Sequence, residues 1–567
     1  MIGSQWLENR ISRRSLLLGA AATAITSFID ACTYKKQDSA NRGIDAMESN
    51  VKIEINAKNV SRDFLRTLLG EGLIFGFSYM WDEKNKRIWP GLMEKIKDLN
   101  ADFFGHLGGP GVWVHDYHWK NCIGAMEKRK DPTPRFHDFD TMNGLVGTHE
   151  YGLMLEEYRN ETGRNILGSI QVNIMTGTAE EAADWVEYMN GSPRTKWGAV
   201  RADNGHRDPF SVQYWELGNQ PHFTFANVGR LTGVEYSKRV REFTTKMKQR
   251  DPAIKVTAYL PFFAFDGTPA EGMKLGSAIQ GVPGEPGSNG PTWTQLVLKE
   301  AGNIIDALDF HWYGAATTRA HGYEYIMSSA YEGLLPNIER ARAMVQQDAP
   351  SDEARERLSR FVCPEYGAIS GNGPFEETAT AIYGAVANSR LLHFFLTLDD
   401  VLYAARFGLF APYPEPQMIR EVRSAYAALF GRLDGSDFIG TAVYMMKLLW
   451  AKAYQQKIIA TKTANIPTFS TGVPVLDVTA MRSSDGKALN LVLTNTGMER
   501  LHPTIALREF KPKPTGRLLL VSGDLKDDNR WEARSKVVLQ ESEIQTAPRF
   551  DLPLPPHSIT AVLMTRA

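Results

Sequence analysis

Residues 212–223 read VQYWELGNQPHF. The apolar run ending in Gly218-Asn219 has the character of a buried strand that stops at polar residues. Seven further segments share that character: LIFGFSY (73–79), ADFFGHLG (101–108), ILGSIQVNI (166–174), KVTAYLP (255–261), ALDFHWYG (307–314), RFVCPEYG (360–367) and VLYAARFGLF (401–410). Amphipathic helical stretches lie between most of them. One is well delimited, with Thr178 and Glu181 predicting a capping box and Gly191 marking the stop. Eight strands alternating with helices over some 380 residues predict an α/β fold, a (β/α)8 TIM barrel spanning 67–457. An open doubly wound sheet would call for a Gly-rich phosphate loop after the first strand, and the sequence has none. Beyond TAVYMMKLLWAKAYQQK (441–457) the texture changes to short strands with turn residues, predicting a C-terminal antiparallel β-sandwich over 458–567. VKIEINAKNV (51–60) alternates in the same way and is expected to add an N-terminal strand, within 51–66, to that sandwich.

The chain has 567 residues, a net charge of -1 and no basic block beyond its N-terminus, which argues against a nucleic-acid partner. Its three cysteines, Cys32, Cys122 and Cys363, form no CxxC, so neither a disulfide framework nor a zinc site is indicated. SRRSLLLGAAATAITSFIDAC (12–32) starts with twin arginines, Arg13 and Arg14, and continues in an apolar run too short to span a bilayer comfortably. Residues 1–31 are therefore expected to be a twin-arginine export signal, and the protein periplasmic, at the cell surface or secreted. The IDAC ending offers Cys32 for lipidation and membrane attachment; cleavage near Ala31 without a lipid is the other reading. Residues 32–50 read as a flexible tether.

Working residues of a (β/α)8 barrel sit at the C-terminal ends of its strands. Those ends hold the Gly-rich loop with Trp113 after the second strand, then Asn219 and Gln220, then His311 and Tyr313, and then Glu365 beside Tyr366. Arg406 stands on the last strand. Glu365, an anion at a strand tip, is a candidate nucleophile. His222, Asp116, His118 and His149 are loop candidates for proton transfer. Glu216 is expected to face inward as a structural carboxyl.

These segments together resemble the clan A glycoside hydrolases, and most closely family 51, the α-L-arabinofuranosidases. The resemblance rests on GGPGVWVHDYHWKNCIGAMEKR (108–129), on LVGTHE within 139–163, and on VNIMTGTAEEAADWVEYMNG (172–191) followed by RADNGHRDPFSVQYWELGNQ (201–220). It implies a retaining glycosidase with Glu365 as nucleophile. It further implies that Asn219 contacts the hydroxyl next to the reacting carbon and that His311 and Tyr313 orient the nucleophile and line the sugar subsite. Neither a metal nor an organic cofactor is called for. A carbohydrate is the implied partner, and the family often forms homo-oligomers.

Three positions depart from the family pattern. Gln220 stands where the acid/base Glu belongs, Pro110 replaces a sugar-binding Asn, and FSYMW (77–81) replaces a segment containing a sugar-binding Glu, leaving Ser78 or Tyr79 nearby. An amide neither gives up nor takes a proton near neutral pH. Three readings follow: a substrate whose leaving group departs unprotonated, as in the myrosinases, which resemble this chain in carrying Gln there; another proton donor; or a barrel that binds sugar without catalysis.

Overall fold

The structure is a computed structural model and describes residues 51–73, 77–107, 111–130, 146–222, 228–262, 291–313, 322–368, 379–413, 427–432 and 434–567. The export signal, the tether, Cys32 and Pro110 lie outside the described residues. Eight parallel strands close into a barrel in chain order: Gly70–Gly72, Phe103–Leu107, Leu167–Val172, Tyr214–Leu217, Lys255–Tyr259, Ala307–Tyr313, Phe361–Gly367 and Val401–Phe407. The eighth strand returns to the first in parallel register, with Arg406 opposite Glu71. Helices cover the outside, among them Thr148–Thr162, Ala179–Asn190, Gly233–Arg250 and Ile382–Phe395.

The first strand is not where the sequence pattern puts it. LIFGFSY is not the barrel strand; Gly70-Glu71-Gly72 is, and Phe77–Met80 is a turn of helix. A carboxylate between two glycines has the signature of a turn, not of a buried strand. The glycine is nevertheless required, because a Cβ at Gly70 would lie 2.6 Å from the carbonyl oxygen of Ala404. Glu71 is then buried and is offset by charge: the Lys447 ammonium, from helix Ala442–Ala453, lies 2.5 Å from its carboxyl. Lys447 also donates to the carbonyls of Leu69 and Gly70. Burial still holds Glu71 above the usual carboxylate range, while Lys447 and then Arg406 pull it down.

The capping box at Thr178 forms only in part. The Thr178 hydroxyl accepts from the Glu181 amide, but the Glu181 carboxylate turns to His118 Nδ1 at 3.1 Å. Gly191 does follow the helix, with an ordinary φ of -68°. It is needed there for space, since a Cβ would meet the Glu187 carbonyl oxygen at 2.4 Å.

Beyond the barrel, nine strands make up the β-sandwich. Lys52–Asp63 pairs antiparallel with Lys457–Ala464 and parallel with Thr504–Arg508, so one pairing departs from the all-antiparallel expectation. Phe410–Pro412, Leu429–Gly431 and Phe438–Gly440 form a further small sheet that the sequence pattern does not reveal. Helix Ile382–Phe395, buried along its whole length, joins barrel to sandwich. From it Arg390 donates to Thr496 and to the Pro474 carbonyl, and His393 bridges Thr479 and Thr494.

Removing one partner of a buried ion pair costs about 3–5 kcal/mol because the other charge is stranded. Glu71→Gln strands Lys447 and Arg406 together and is expected to fall in that range. Lys447→Met leaves Glu71 facing Arg406 and should cost less. Urea unfolding midpoints of the two variants check this order.

Candidate active site

The site is built where the fourth, sixth and seventh strands end. On the sixth strand, residues two apart share a face, so Asp309, His311 and Tyr313 point the same way. The seventh strand sets Glu365 in register with His311. The fourth strand ends at Leu217, and the chain then turns through Gly218 at φ +87° and Gln220 at φ +49°. A glutamine in the left-handed region is uncommon and signals a locally constrained turn. His115, whose Nε2 donates to the Asn219 carbonyl, clamps it. Burial lowers the His115 pKa to about 4, so the ring is neutral and a single ring N–H serves that carbonyl.

The turn carries Gln220 to His311, and Tyr313 reaches Glu365. The Tyr313 hydroxyl donates to Glu365 Oε2 at 2.6 Å. His311 Nδ1 lies 3.3 Å from the same oxygen and 3.0 Å from the Gln220 amide nitrogen. With that amide donating, Nδ1 is an acceptor and the ring proton resides on Nε2. Two acceptors facing each other at 3.3 Å fit a Glu365 that holds its proton. The electrostatics agree. Glu365 is 2% exposed, and its pKa is pushed up to about 8, chiefly by burial. Tyr313 and Gln171 oppose that shift, and the charge of Glu216 adds to it. Burial depresses His311 to about 3, so the imidazole offers Glu365 no positive charge.

Other polar atoms of the site have their bonding capacity open. Among the described residues, Glu365 Oε1, Asn219 Oδ1 and His311 Nε2 are buried without a hydrogen-bond partner. Buried polar groups are ordinarily paired, so Glu365 and its register neighbour His311, like Asn219 on the turn, keep capacity for a further hydrogen bond.

Of the remaining candidates, His222 borders the site, since it stacks on Tyr259, which packs edge-on against His311. Tyr366 alternates away from Glu365, and its ring packs edge-on against Phe395. The side chain of Trp113 lies outside the described residues. His222 is not a solvated rim residue: it is buried and stacked on Tyr259, with ring centroids 5.4 Å apart. Asp116 accepts from Thr176, His118 pairs with Glu181, and His149 contacts the Tyr188 hydroxyl; none of the three is drawn to Glu365 by these contacts. Sequence reasoning missed His115, Gln171 and Tyr403. Gln171 and Tyr403 lie on barrel strands and could have been flagged only from register, and His115 lies on the 3-10 turn Gly111–Asp116 that follows the second strand. Among the described residues, no group of three or more His, Cys, Asp and Glu side chains is arranged to hold a metal ion.

Comparison with known proteins gives a likeness in sequence over part of the chain and in fold over most of it. Residues 95–326 match the alpha-L-arabinofuranosidase 1 domain, a span that includes Asn219, Gln220, His311 and Tyr313 and stops short of Glu365. The chain is 29% identical over 168 residues to a probable alpha-L-arabinofuranosidase C of Aspergillus fumigatus, covering 29% of this chain and 31% of the relative. It is 26% identical over 225 residues to an intracellular exo-alpha-(1->5)-L-arabinofuranosidase of Streptomyces lividans, covering 39% of this chain and 29% of that one. The sequence likeness thus spans about a third of the curated relatives' length. The fold likeness is more extensive: an arabinose complex of the alpha-L-arabinofuranosidase from Thermotoga maritima superposes with a TM-score of 0.72 at 22% identity, over 91% of this chain and all of the other. The class so defined is a (β/α)8 barrel with a β-sandwich. Within it the chain is similar to alpha-L-arabinofuranosidases, over residues 95–326 by the domain match.

A hydrogen bond to a charged group is worth about 1.5–3 kcal/mol. Tyr313→Phe should therefore cost little at pH 6, where Glu365 is protonated. At pH 9 it should cost about that amount, because the carboxylate then loses its donor. Denaturant unfolding at the two pH values reads the difference.

Proposed function

We propose that this chain cleaves arabinofuranoside-type glycosides with retention of configuration, and that it favours leaving groups that depart as stable anions. The observation that supports the reading most is the asymmetry of Glu365: Oε2 is held by Tyr313, while Oε1 has no partner among the described residues. Oε1 attacks the anomeric carbon, the bond from that carbon to the aglycone oxygen breaks, and the aglycone leaves with the electron pair. Water then attacks the same carbon, the ester bond from that carbon to Glu365 breaks with the electron pair going to the carboxylate, and the water's proton passes to that carboxylate or to solvent. Asn219 Oδ1 is available to a sugar hydroxyl. Gln220 can hold the aglycone or the water by hydrogen bonds but moves no proton. The substrate type comes from the named activities of the similar proteins.

The attack requires the Glu365 anion. A carboxyl whose pKa is raised to about 8 becomes an anion only above that pH. The rate on an activated substrate should therefore rise with pH through about 8, instead of being level from pH 5 upward.

A 2,4-dinitrophenyl α-L-arabinofuranoside, whose phenol needs no proton to leave, tests the reading. Release of the phenol is expected with the acid limb just described, and Glu365→Gln should abolish it. Gln220→Glu should leave that substrate little changed and speed poor leaving groups by about 10²–10⁴-fold, the usual worth of a general acid. Arabinose binding by calorimetry with no release from any aryl glycoside would instead assign the barrel a purely sugar-binding role, the reading that Gln220 keeps open.

A further inference from the structure

Glu216 lies four residues before Gln220, deeper in the barrel on the fourth strand, and is 1% exposed. The Tyr403 hydroxyl, from the eighth strand, donates to its Oε1 at 2.8 Å. Ser169 and Gln171, from the third strand, stand beside it and favour its anion, as Tyr403 does, against the burial that pushes its pKa up to about 7. No lysine or arginine among the described residues helps hold that charge. Its charge acts on Asp309 of the sixth strand, on Tyr151 of helix Thr148–Thr162 and on Glu365. Gln171 stands next to both Glu216 and Glu365, close enough to favour the anion of each, with its amide outside strict hydrogen-bond geometry. Glu365 is faced in addition by Tyr313, His311 and Gln220, by Asp309, and by Tyr259 and Cys363, both of which feel its charge.

A purely structural role at 216 does not need a carboxyl. Glutamine would fill the same space, accept from Tyr403 and bond to Ser169 and Gln171, without a charge that is costly to bury. A titratable group in such a place can act through its charge, and the carboxyls within its reach are Asp309 and, at the candidate site, Glu365.

We propose that Glu216 is a positioning residue for the reaction proposed above: buried in the barrel like Glu365 and set in strand register with Gln171, it governs whether Glu365 is protonated or free to attack. The inference rests on that reading for its purpose. The coupling of the two carboxyls is measurable without it.

The sign is set by like charge: a Glu216 anion opposes ionisation of Glu365. Glu216→Gln removes that repulsion. The acid limb of 2,4-dinitrophenyl arabinofuranoside hydrolysis should move to lower pH by roughly one unit or more, the size of coupling at which two sites cease to titrate independently. A limb that stays in place while the rate or stability drops overturns the proposal and leaves Glu216 structural. Tyr403→Phe is the second variant if Glu216→Gln does not fold. Without the hydroxyl, Glu216 holds its proton longer, and the limb should move the same way by less.

Thermal unfolding of wild type, Glu216→Gln, Glu365→Gln and the double variant at pH 5 and pH 9 reads the coupling where nothing is hydrolysed. A buried carboxyl with a raised pKa contributes stability that is present below its unfolded value and is lost as pH rises through its folded one. Each single variant should therefore gain in unfolding temperature relative to wild type on going from pH 5 to pH 9. If the carboxyls repel, the two single gains at pH 9 add up to more than the gain of the double variant, while at pH 5 the changes add. Simple additivity at both pH values overturns the proposal. Non-additivity at pH 9 with no release of phenol upholds the coupling and defeats only the proposed activity.

Discussion

Burying a carboxyl costs free energy unless something in the protein replaces the water it gives up. This barrel meets that constraint in two opposite ways. Glu71, on the first strand, is offset by Lys447 and Arg406, and so serves as a structural anion where the barrel closes. Glu365, on the seventh strand, is as deeply buried and has a tyrosine hydroxyl and a neutral imidazole beside it instead. Its proton is therefore retained until the solution turns alkaline. The chemical character of the site follows from that contrast. The nucleophilic role proposed for Glu365 rests on that contrast, since a carboxylate locked in an ion pair is a poor nucleophile.

The rest of the site serves to hold Glu365 and what approaches it. The turn after the fourth strand needs positive φ at Gly218 and at Gln220, and His115 pins it through the Asn219 carbonyl. That strain gives the Gln220 amide a fixed partner in His311 and leaves Asn219 Oδ1 open. Preorganisation of this kind sets the geometry before anything binds, so binding does not have to supply the ordering. Behind the seventh and eighth strands, helix Ile382–Phe395 is locked to the sandwich through Arg390 and His393. The sandwich is thereby tied to the helix that packs against the strand bearing Glu365.

Much of this was legible in the chain. The eight-strand rhythm, the change to short strands after residue 457 and the pairing of Lys52–Asp63 with the sandwich follow from side-chain periods that do not depend on distant contacts. The cluster of Gln220, His311, Tyr313 and Glu365 could be read because all four lie at the C-terminal ends of barrel strands, where parallel strands converge. Gly70–Gly72 was not legible, because a Glu between glycines becomes a strand only when Lys447, 376 residues away in sequence, is there to offset it. Glu181 failed to complete its capping box because His118, which competes for its carboxylate, comes from another element. The facing of Tyr366, packed on Phe395, and of His222, stacked on Tyr259, was not legible for a related reason: which face of a strand or turn a side chain takes depends on the register and on what packs there.

By itself, then, the sequence determined the architecture and the residue types at the strand ends, since strand period, glycine turns and helix caps are properties of neighbours in the chain. Only the tertiary structure decided which carboxyl is paired and which is not, and so which one is at rest and which can react. Charge, burial and proton affinity depend on groups brought together from the third, fourth, sixth, seventh and eighth strands, and no local pattern encodes the distances between them.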